Sequence, residues 1–197
     1  MPIVAASAAV AVALGAAGCG GGEGSGAPFH AARTSRFVGS LLPAGLTVPA
    51  FTLRDQDGRV VTRARLAGRP VVVMFLTTRC RVACLLAASQ VKGALDDLGG
   101  PAGAVAISVD PAHDGAPAAR RLVARLGMRG RLRFLLGPRH ELERVWRGFG
   151  IDPRGQRDPH GARLVLLDRH GTQRVGFPLS QATPERIAHD LRILGGE

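Results

Sequence analysis

Residues 71–84 have the sequence VVVMFLTTRCRVAC and predict a strand followed directly by a helix. The run Val71–Leu76 is continuously apolar and rich in β-branched residues, as expected of a strand that is buried on both faces of a sheet. Apolar residues then recur at spacings of three and four: Cys84, Ala88, Val91, Leu95 and Leu98. This period is typical of an amphipathic helix, which we expect to end at Gly99-Gly100.

The sequence on either side continues the alternation of strands and helices. Upstream, Asp57-Gly58 is a hairpin-turn signal between two short apolar runs. Downstream we predict, in order, a strand at Ala104–Val109, a helix at Pro117–Leu126, a short strand at Leu132–Leu136, a helix at Glu141–Phe149, a hairpin from Leu164–Leu167 to Arg174–Phe177, and a final helix that opens at Thr183-Pro184-Glu185. This order predicts an α/β domain with a thioredoxin-like fold: a central, mainly parallel sheet, helices on both faces, a closing β-hairpin and an additional N-terminal hairpin.

Length and composition fit one globular domain. The chain has 197 residues, of which 46% are hydrophobic, and this excludes a wholly disordered protein; its three cysteines are too few for a disulfide-rich scaffold. The net charge is +11, but the arginines are scattered along the chain, tyrosine is absent and there is one tryptophan. Because single-stranded nucleic acids are bound largely by aromatic stacking, we expect no nucleic-acid partner. A positive surface would instead suit anionic lipid headgroups.

The N-terminus has the composition of an export signal. Residues 1–18 carry no charged side chain and end in Ala16-Ala17-Gly18, and with Cys19 this segment resembles a bacterial lipobox. We therefore predict a lipoprotein-type signal peptide at residues 1–18, lipidation of Cys19, and a flexible, Gly/Ser-rich tether over residues 19–36. The alternative is an ordinary signal peptide that is cleaved with loss of Cys19. Both interpretations place the domain, residues 37–197, outside the cytoplasm, and the first anchors it on the extracytoplasmic face of the bacterial cell membrane.

Cys80 and Cys84 lie at the junction between the first buried strand and its helix. Sites in open α/β sheets gather at the carboxyl ends of strands, and the positive end of a helix, with Arg79 and Arg81 nearby, favours the thiolate form of cysteine. A spacing of four residues places the two sulfurs one helical turn apart. The pair could therefore share a soft metal ion such as Cu(I) or Zn(II), or form a disulfide after some rearrangement. The alternative is that both are merely small buried residues.

A third metal ligand would have to come from elsewhere in the chain. The sequence contains six histidines: His30, His113, His140, His160, His170 and His189. His160 precedes the first strand of the closing hairpin, and in thioredoxin-like folds that loop faces the helix that carries the cysteines. His160 is therefore either a ligand or a surface residue. His30, His140, His170 and His189 are most simply solvated surface residues.

Several segments resemble the Sco/SenC copper-chaperone family, from about Phe37 to the C-terminus. Residues 48–58 are similar to its opening hairpin, residues 68–75 to the strand before its metal site, and residues 108–114 to its S-V-D-P-x-R-D segment. Cys80 and Cys84 match its C-x-x-x-C motif. His160 lies eight residues before Asp168, the spacing between the family's copper-binding histidine and the end of the strand that follows. The resemblance implies a thioredoxin-like fold and a copper site formed by these three residues.

The sequence departs from this family at three places near the implied site. Arg81 and Leu85 follow the two motif cysteines, where the family commonly has proline, so the metal loop is expected to be less rigid. His160 stands in an Asp-Pro-His-Gly context instead of the family's Asp-His-Ser. His113 replaces the arginine of the Asp-Pro segment and is a conceivable substitute ligand.

The resemblance implies a metallochaperone that carries copper, as Cu(I) or Cu(II), to the binuclear copper centre of a cytochrome c oxidase or to another copper acceptor. Such a carrier is not an enzyme. An enzymatic alternative is a thiol–disulfide reductase in which Cys80 and Cys84 cycle between dithiol and disulfide. Two further hypotheses are a peroxidase and an interaction module without an active site. The peroxidase hypothesis depends on the partial motif Thr77-x-x-Cys80, in which Val73 stands where a peroxiredoxin has proline.

Overall fold

The computed structural model describes residues 35–79, 82–154 and 162–197, with only the backbone of Ala83. The predictions for the signal peptide, for residues 19–34 of the tether with Cys19, and for Cys80, Arg81 and His160 lie outside these ranges. The strands are β1 Ser40–Leu41, β2 Thr52–Arg54, β3 Val60–Thr62, β4 Val71–Leu76, β5 Gly103–Ser108, β6 Leu132–Leu135, β7 Arg163–Leu167 and β8 Gln173–Pro178. The helices are α1 Val82–Leu98, α2 Ala116–Arg125, α3 Arg139–Gly148 and α4 Pro184–Gly196. Within these ranges no helix has both the length and the apolar character needed to cross a membrane.

Six strands form the main sheet, in the order β1-β8-β7-β4-β5-β6. Strands β4, β5 and β6 pair in parallel, whereas β7 is antiparallel to both β4 and β8, so that β8 runs in the direction of β4. Four of these six strands therefore share one direction. The separate β2–β3 hairpin turns at Gly58, whose φ of +81° is a left-handed conformation that favours glycine. The predicted thioredoxin-like fold, with its closing and N-terminal hairpins, is confirmed.

Helices cover both faces of the sheet, as the sequence predicts. The even-numbered side chains of β4 join an apolar core with α1, α2 and α4. The odd-numbered side chains join a second core with α3 and the β2–β3 hairpin. Because successive side chains of a strand point to opposite faces, a strand between two cores must be apolar at every position. This explains the continuous run VVVMFL.

The helix ends follow local sequence signals. Helix α1 ends at Leu98, directly before Gly99, whose φ is +61°. Helix α4 begins after Thr183, whose hydroxyl accepts a hydrogen bond from the backbone N–H of Arg186 at 3.4 Å. The backbone N–H of Glu185 and the Thr183 hydroxyl both donate to the Glu185 carboxylate and lower its pKa. The predicted start of α4 is thus confirmed together with its cap.

Strand β1 is an element that the sequence did not predict. Both of its residues are exposed, so it has no pattern of burial, and it exists because it pairs with β8. The segment before it is fixed by α4: the backbone N–H groups of Val38 and Gly39 donate to the buried carboxylate of Asp190 at 2.8 and 2.9 Å. Gly39 is required here, because a Cβ at this position would lie 2.4 Å from a side-chain carbon of Val175.

Candidate metal centre

Cys84 lies in the first turn of α1, on the helix that follows the carboxyl end of β4. Its side chain is 1% exposed and packs in the core that α1 shares with α2 and α4. Cys84 is disulfide-bonded. The chain has two other cysteines, Cys19 and Cys80, and both lie outside the described residues. The pairing of Cys84 with Cys80 therefore stays a prediction.

The carboxylate of Asp114 holds the junction between β4 and α1. Its Oδ1 accepts hydrogen bonds from Thr77 Oγ1 (3.0 Å), Thr78 N (2.7 Å) and Thr78 Oγ1 (2.6 Å). Its Oδ2 accepts a hydrogen bond from Ser108 Oγ (2.5 Å), at the end of β5. Thr77 Oγ1 in turn accepts from the backbone N–H of Arg79 at 3.3 Å. The residues that lead into the cysteine motif are therefore tied to the end of the neighbouring strand.

Sequence reasoning missed this role of Asp114. The residue was visible only as the last position of the S-V-D-P-x-R-D resemblance, which gives no indication of what its side chain contacts. The donors to its carboxylate come from Thr77 and Thr78 in one segment and from Ser108 in another, about thirty residues apart in the sequence. Such a contact shows only in the folded structure.

A second carboxylate in the same segment orients His113. The ring Nδ1 of His113 lies 2.8 Å from Asp110 Oδ1, and the imidazole is about half exposed. The segment itself is fixed to β4, because the backbone N–H of Val109 donates to the carbonyl of Leu76 at 2.9 Å. Metal-binding histidines are commonly oriented by a carboxylate on their other ring nitrogen. His113 therefore has a suitable local arrangement for the substitute-ligand role predicted from the sequence, which stays a prediction.

The other histidines within the described ranges lie on the surface. His140 is in the first turn of α3, His170 lies in the β7–β8 turn, and His189 is about half exposed with its Nδ1 3.0 Å from Asp190 Oδ1. Among the described residues, no three His, Cys, Asp or Glu side chains are grouped so as to hold a metal ion. Of the predicted ligand set, only Cys84 lies within them. The assignment of Cys80, Cys84 and His160 as ligands therefore stays a prediction.

The first turns of α1 direct apolar side chains outward beside the buried cysteine. Val82 is 69% exposed, Leu85 38% and Leu86 40%. Leu85 stands where the resembled family commonly has proline, and here it continues a regular helix. Arg79, the last residue described before the motif, is exposed as well. The described residues beside Cys84 therefore expose apolar side chains, and Arg79 adds one exposed cation before the motif.

These features define a class of protein: a thioredoxin-like domain with a disulfide-bonded cysteine in the first turn of the helix after its central strand. A family model described as SCO1/SenC matches residues 41–194. The chain belongs to the SCO1/SenC family, and the resemblance seen in its motifs is confirmed.

Solved structures of Sco proteins have the same fold. ScoI of Bradyrhizobium japonicum, described with copper bound, is 25% identical, with a TM-score of 0.60 over 75% of this chain and 99% of that one. BsSco, described as a cytochrome c oxidase assembly protein with a disulfide switch, is 22% identical, with a TM-score of 0.67 over 79% and 96%. A SCO1/SenC family lipoprotein of Bacillus anthracis str. Ames is 19% identical, with a TM-score of 0.62 over 75% and 94%. The last two likenesses concern the fold alone.

A local likeness links the chain to a different group of thiol proteins. Chloroplastic peroxiredoxin Q of Oryza sativa subsp. japonica is 51% identical over 41 residues. The match spans 21% of this chain and only 19% of that relative. The chain therefore covers about a fifth of the length of the curated relatives that it matches, and the likeness does not extend to the whole protein.

Proposed function

We propose that this chain is an extracytoplasmic copper carrier that binds copper through Cys80, Cys84 and His160. It delivers the ion to the binuclear copper centre of a cytochrome c oxidase or to a similar copper acceptor. A lipid on Cys19 anchors it to the membrane after removal of a signal peptide at residues 1–18. Residues 19–36 form the tether of the domain 37–197. Copper is the cargo of the protein, so the carrier is not an enzyme.

The observation that carries this proposal is the place of Cys84 in a SCO1/SenC chain. Cys84 lies in the first turn of α1, which follows the central strand β4, and Cys80 is four residues before it in the sequence. Two thiols four residues apart in the sequence, where a strand leads into a helix, are suited to a soft metal ion. The copper bound to the Bradyrhizobium japonicum relative supports copper as that ion. The assembly role described for BsSco supports an oxidase as the recipient.

Copper binding requires the reduced form of the site, because a disulfide offers no thiolate. Reduction of the disulfide at Cys84 by a thiol reductant takes up two electrons and two protons and yields two thiols, which lose their protons when they bind the ion. Two thiolates favour Cu(I), and a neutral imidazole from His160 completes a three-coordinate site. Low coordination leaves room for a ligand of the acceptor to bind before a ligand of the carrier leaves. Copper can then pass between proteins without being released into solution.

A Cu(I) competition titration tests the carrier proposal. The full chain with Cys19→Ser is reduced and titrated anaerobically against a chromophoric Cu(I) chelator, so that Cys80 and Cys84 are the only thiols present. We expect one tightly bound equivalent, which the double variant Cys80→Ala/Cys84→Ala abolishes. His160→Ala should weaken binding by at least about tenfold, since even changes in the groups that orient a ligand cost roughly tenfold to a hundredfold.

Two further histidine variants serve as controls for the ligand assignment. His170→Ala removes an exposed imidazole from the β7–β8 turn, at the edge of the sheet where β4 begins, and should leave the affinity unchanged. If His113→Ala weakens binding and His160→Ala does not, the third ligand is His113. Absence of tight binding by the parent chain, or tight binding that survives loss of both cysteines, contradicts the carrier proposal.

A thiol–disulfide reductase is the second candidate, favoured by the disulfide at Cys84. In this role the reduced pair gives two electrons and two protons to a disulfide of a partner protein and is itself left as a disulfide. The description of BsSco as carrying a disulfide switch agrees with such chemistry in a relative.

The reduction potential of the Cys84 disulfide tests the reductase candidate. The chain with Cys19→Ser is equilibrated in dithiothreitol and glutathione buffers, and free thiols are trapped by alkylation and counted by mass. Structural disulfides in secreted proteins have potentials below about −300 mV, whereas exchangeable disulfides lie above that value. A potential above this limit supports the reductase role. A lower one, out of reach of physiological partners, contradicts it.

A further inference from the structure

We propose that Asp114 is a positioning residue for the cysteine site. Its carboxylate fixes the residues that lead into Cys80 and thereby sets how closely the two motif thiols approach. The inference depends on the proposed function only in assuming that Cys80 and Cys84 together bind copper or form the disulfide. It adds to the site a residue that none of the predicted ligand assignments contains.

Asp114 receives hydrogen bonds from three residues at the ends of two neighbouring strands. Thr77 and Thr78 follow β4, and Ser108 is the last residue of β5. The four donor–acceptor distances lie between 2.5 and 3.0 Å. Hydrogen bonds to a carboxylate are roughly twice as strong as those between neutral groups. One side chain thus holds together the strand-to-helix junction and the strand next to it.

The donors have no better partner if the carboxylate is removed. Thr77 is 4% exposed and Ser108 0%, so water has little access to their hydroxyls. In the part of the chain that the structure describes, no arginine, lysine or histidine pairs with Asp114, and its charge is met by hydroxyl and amide donors. Loss of the carboxylate therefore leaves buried donors unpaired, and residues 77–79 have to rearrange to satisfy them.

Such a rearrangement is expected to change the positions of the cysteines, because they follow residues 77–79 closely in the chain. Thr78 is two residues before Cys80, and α1, which carries Cys84, begins at Val82. A site binds a metal ion or closes a disulfide at lower entropic cost when its ligands are already held near their final positions. A loosened junction should therefore lower both the copper affinity and the stability of the disulfide, even where the domain stays folded.

The test compares variants of Asp114 with a variant of a similar carboxylate far from the site. Asp168 lies at the opposite end of the sheet, beside the start of β4, and is buried. It accepts hydrogen bonds from the backbone N–H groups of His170 and Thr172, both at 2.9 Å. Asp114→Ala, Asp114→Asn, Thr78→Val and Asp168→Asn are made in the full chain with Cys19→Ser. For each, we measure the Cu(I) affinity against a chelator and the equilibrium between dithiol and disulfide in dithiothreitol.

We expect Asp114→Ala to weaken Cu(I) binding by about tenfold or more, the usual effect of losing a group that orients metal ligands. The same variant should shift the equilibrium against dithiothreitol toward the dithiol by roughly threefold to tenfold, because the effective concentration of one thiol at the other falls. Asp114→Asn, which keeps an acceptor oxygen for Thr78, should recover part of both losses. Thr78→Val, which keeps the shape of the side chain, should show a smaller loss, and Asp168→Asn should change neither quantity.

The proposal is overturned if the Asp114 and Asp168 variants change both quantities equally, or if Asp114→Asn and Thr78→Val change neither. These two milder variants decide the matter if Asp114→Ala does not fold, as judged by thermal unfolding. The thiol equilibrium does not require copper. A parent chain that binds no copper therefore contradicts the carrier function, while a shift in the equilibrium at Asp114 still supports the positioning role.

Discussion

Buried carboxylates in the described residues act as acceptors for backbone amides. Asp55 accepts from the N–H groups of Asp57 and Arg59, Asp168 from those of His170 and Thr172, and Asp190 from those of Val38 and Gly39, all between 2.8 and 3.0 Å. Each is at most 4% exposed. A buried carboxylate is tolerable when several donors face it, and each of these fixes a turn or a chain segment in return.

At the scale of single residues, we predict that Asp190→Ala lowers the free energy of unfolding by about 2–3 kcal/mol, because the amides of Val38 and Gly39 lose their charged acceptor. The change would be measured by urea denaturation at neutral pH. Asp97→Asn provides the control, since Asp97 is exposed at the end of α1 and should alter stability by less than about 0.5 kcal/mol. Equal effects of the two substitutions would contradict the anchoring role of Asp190.

At the scale of elements, the structure follows the sequence where local signals and burial agree. Helix α1 was predictable because its apolar period and the glycines after it point to the same boundaries, and β4 because both of its faces are buried. Strand β1 was not predictable. Its two residues are exposed, and its pairing partner β8 lies more than 130 residues further along the chain, so only tertiary contacts create it.

The candidate site was predictable to a lesser extent. The position of Cys84 at the start of α1 follows from the strand-to-helix pattern, which the structure confirms. The hydrogen bonds of Asp114 could not be predicted, because they depend on how β4 and β5 lie side by side. Cys80 and His160 lie outside the described residues, so their part in the site stays a prediction. A pattern along the chain identifies an element well, but it identifies the partners of a polar side chain poorly.

At the scale of the whole molecule, the described domain begins at the end of the sheet opposite Cys84, where β4 starts. Arg36 pairs with Glu197, and Arg169 of the β7–β8 turn donates to the backbone oxygen of Glu197. That turn lies at the edge where β4 begins, whereas Cys84 follows the end of β4. Arg36, the last residue of the proposed tether, therefore lies at the opposite end of β4 from Cys84.

The proposed anchor leads to a prediction about the whole chain in cells. Because burial of each CH₂ of an acyl chain contributes about 0.8 kcal/mol, lipidated protein should stay in the membrane fraction through a wash with 1 M salt, whereas Cys19→Ser should move to the soluble extracytoplasmic fraction. The salt wash matters because the charge of +11 could bind anionic lipids on its own, and salt at that concentration screens such attraction. Fractionation followed by mass measurement of the N-terminus checks both points. Retention of Cys19→Ser on salt-washed membranes would mean that something other than this cysteine holds the protein there.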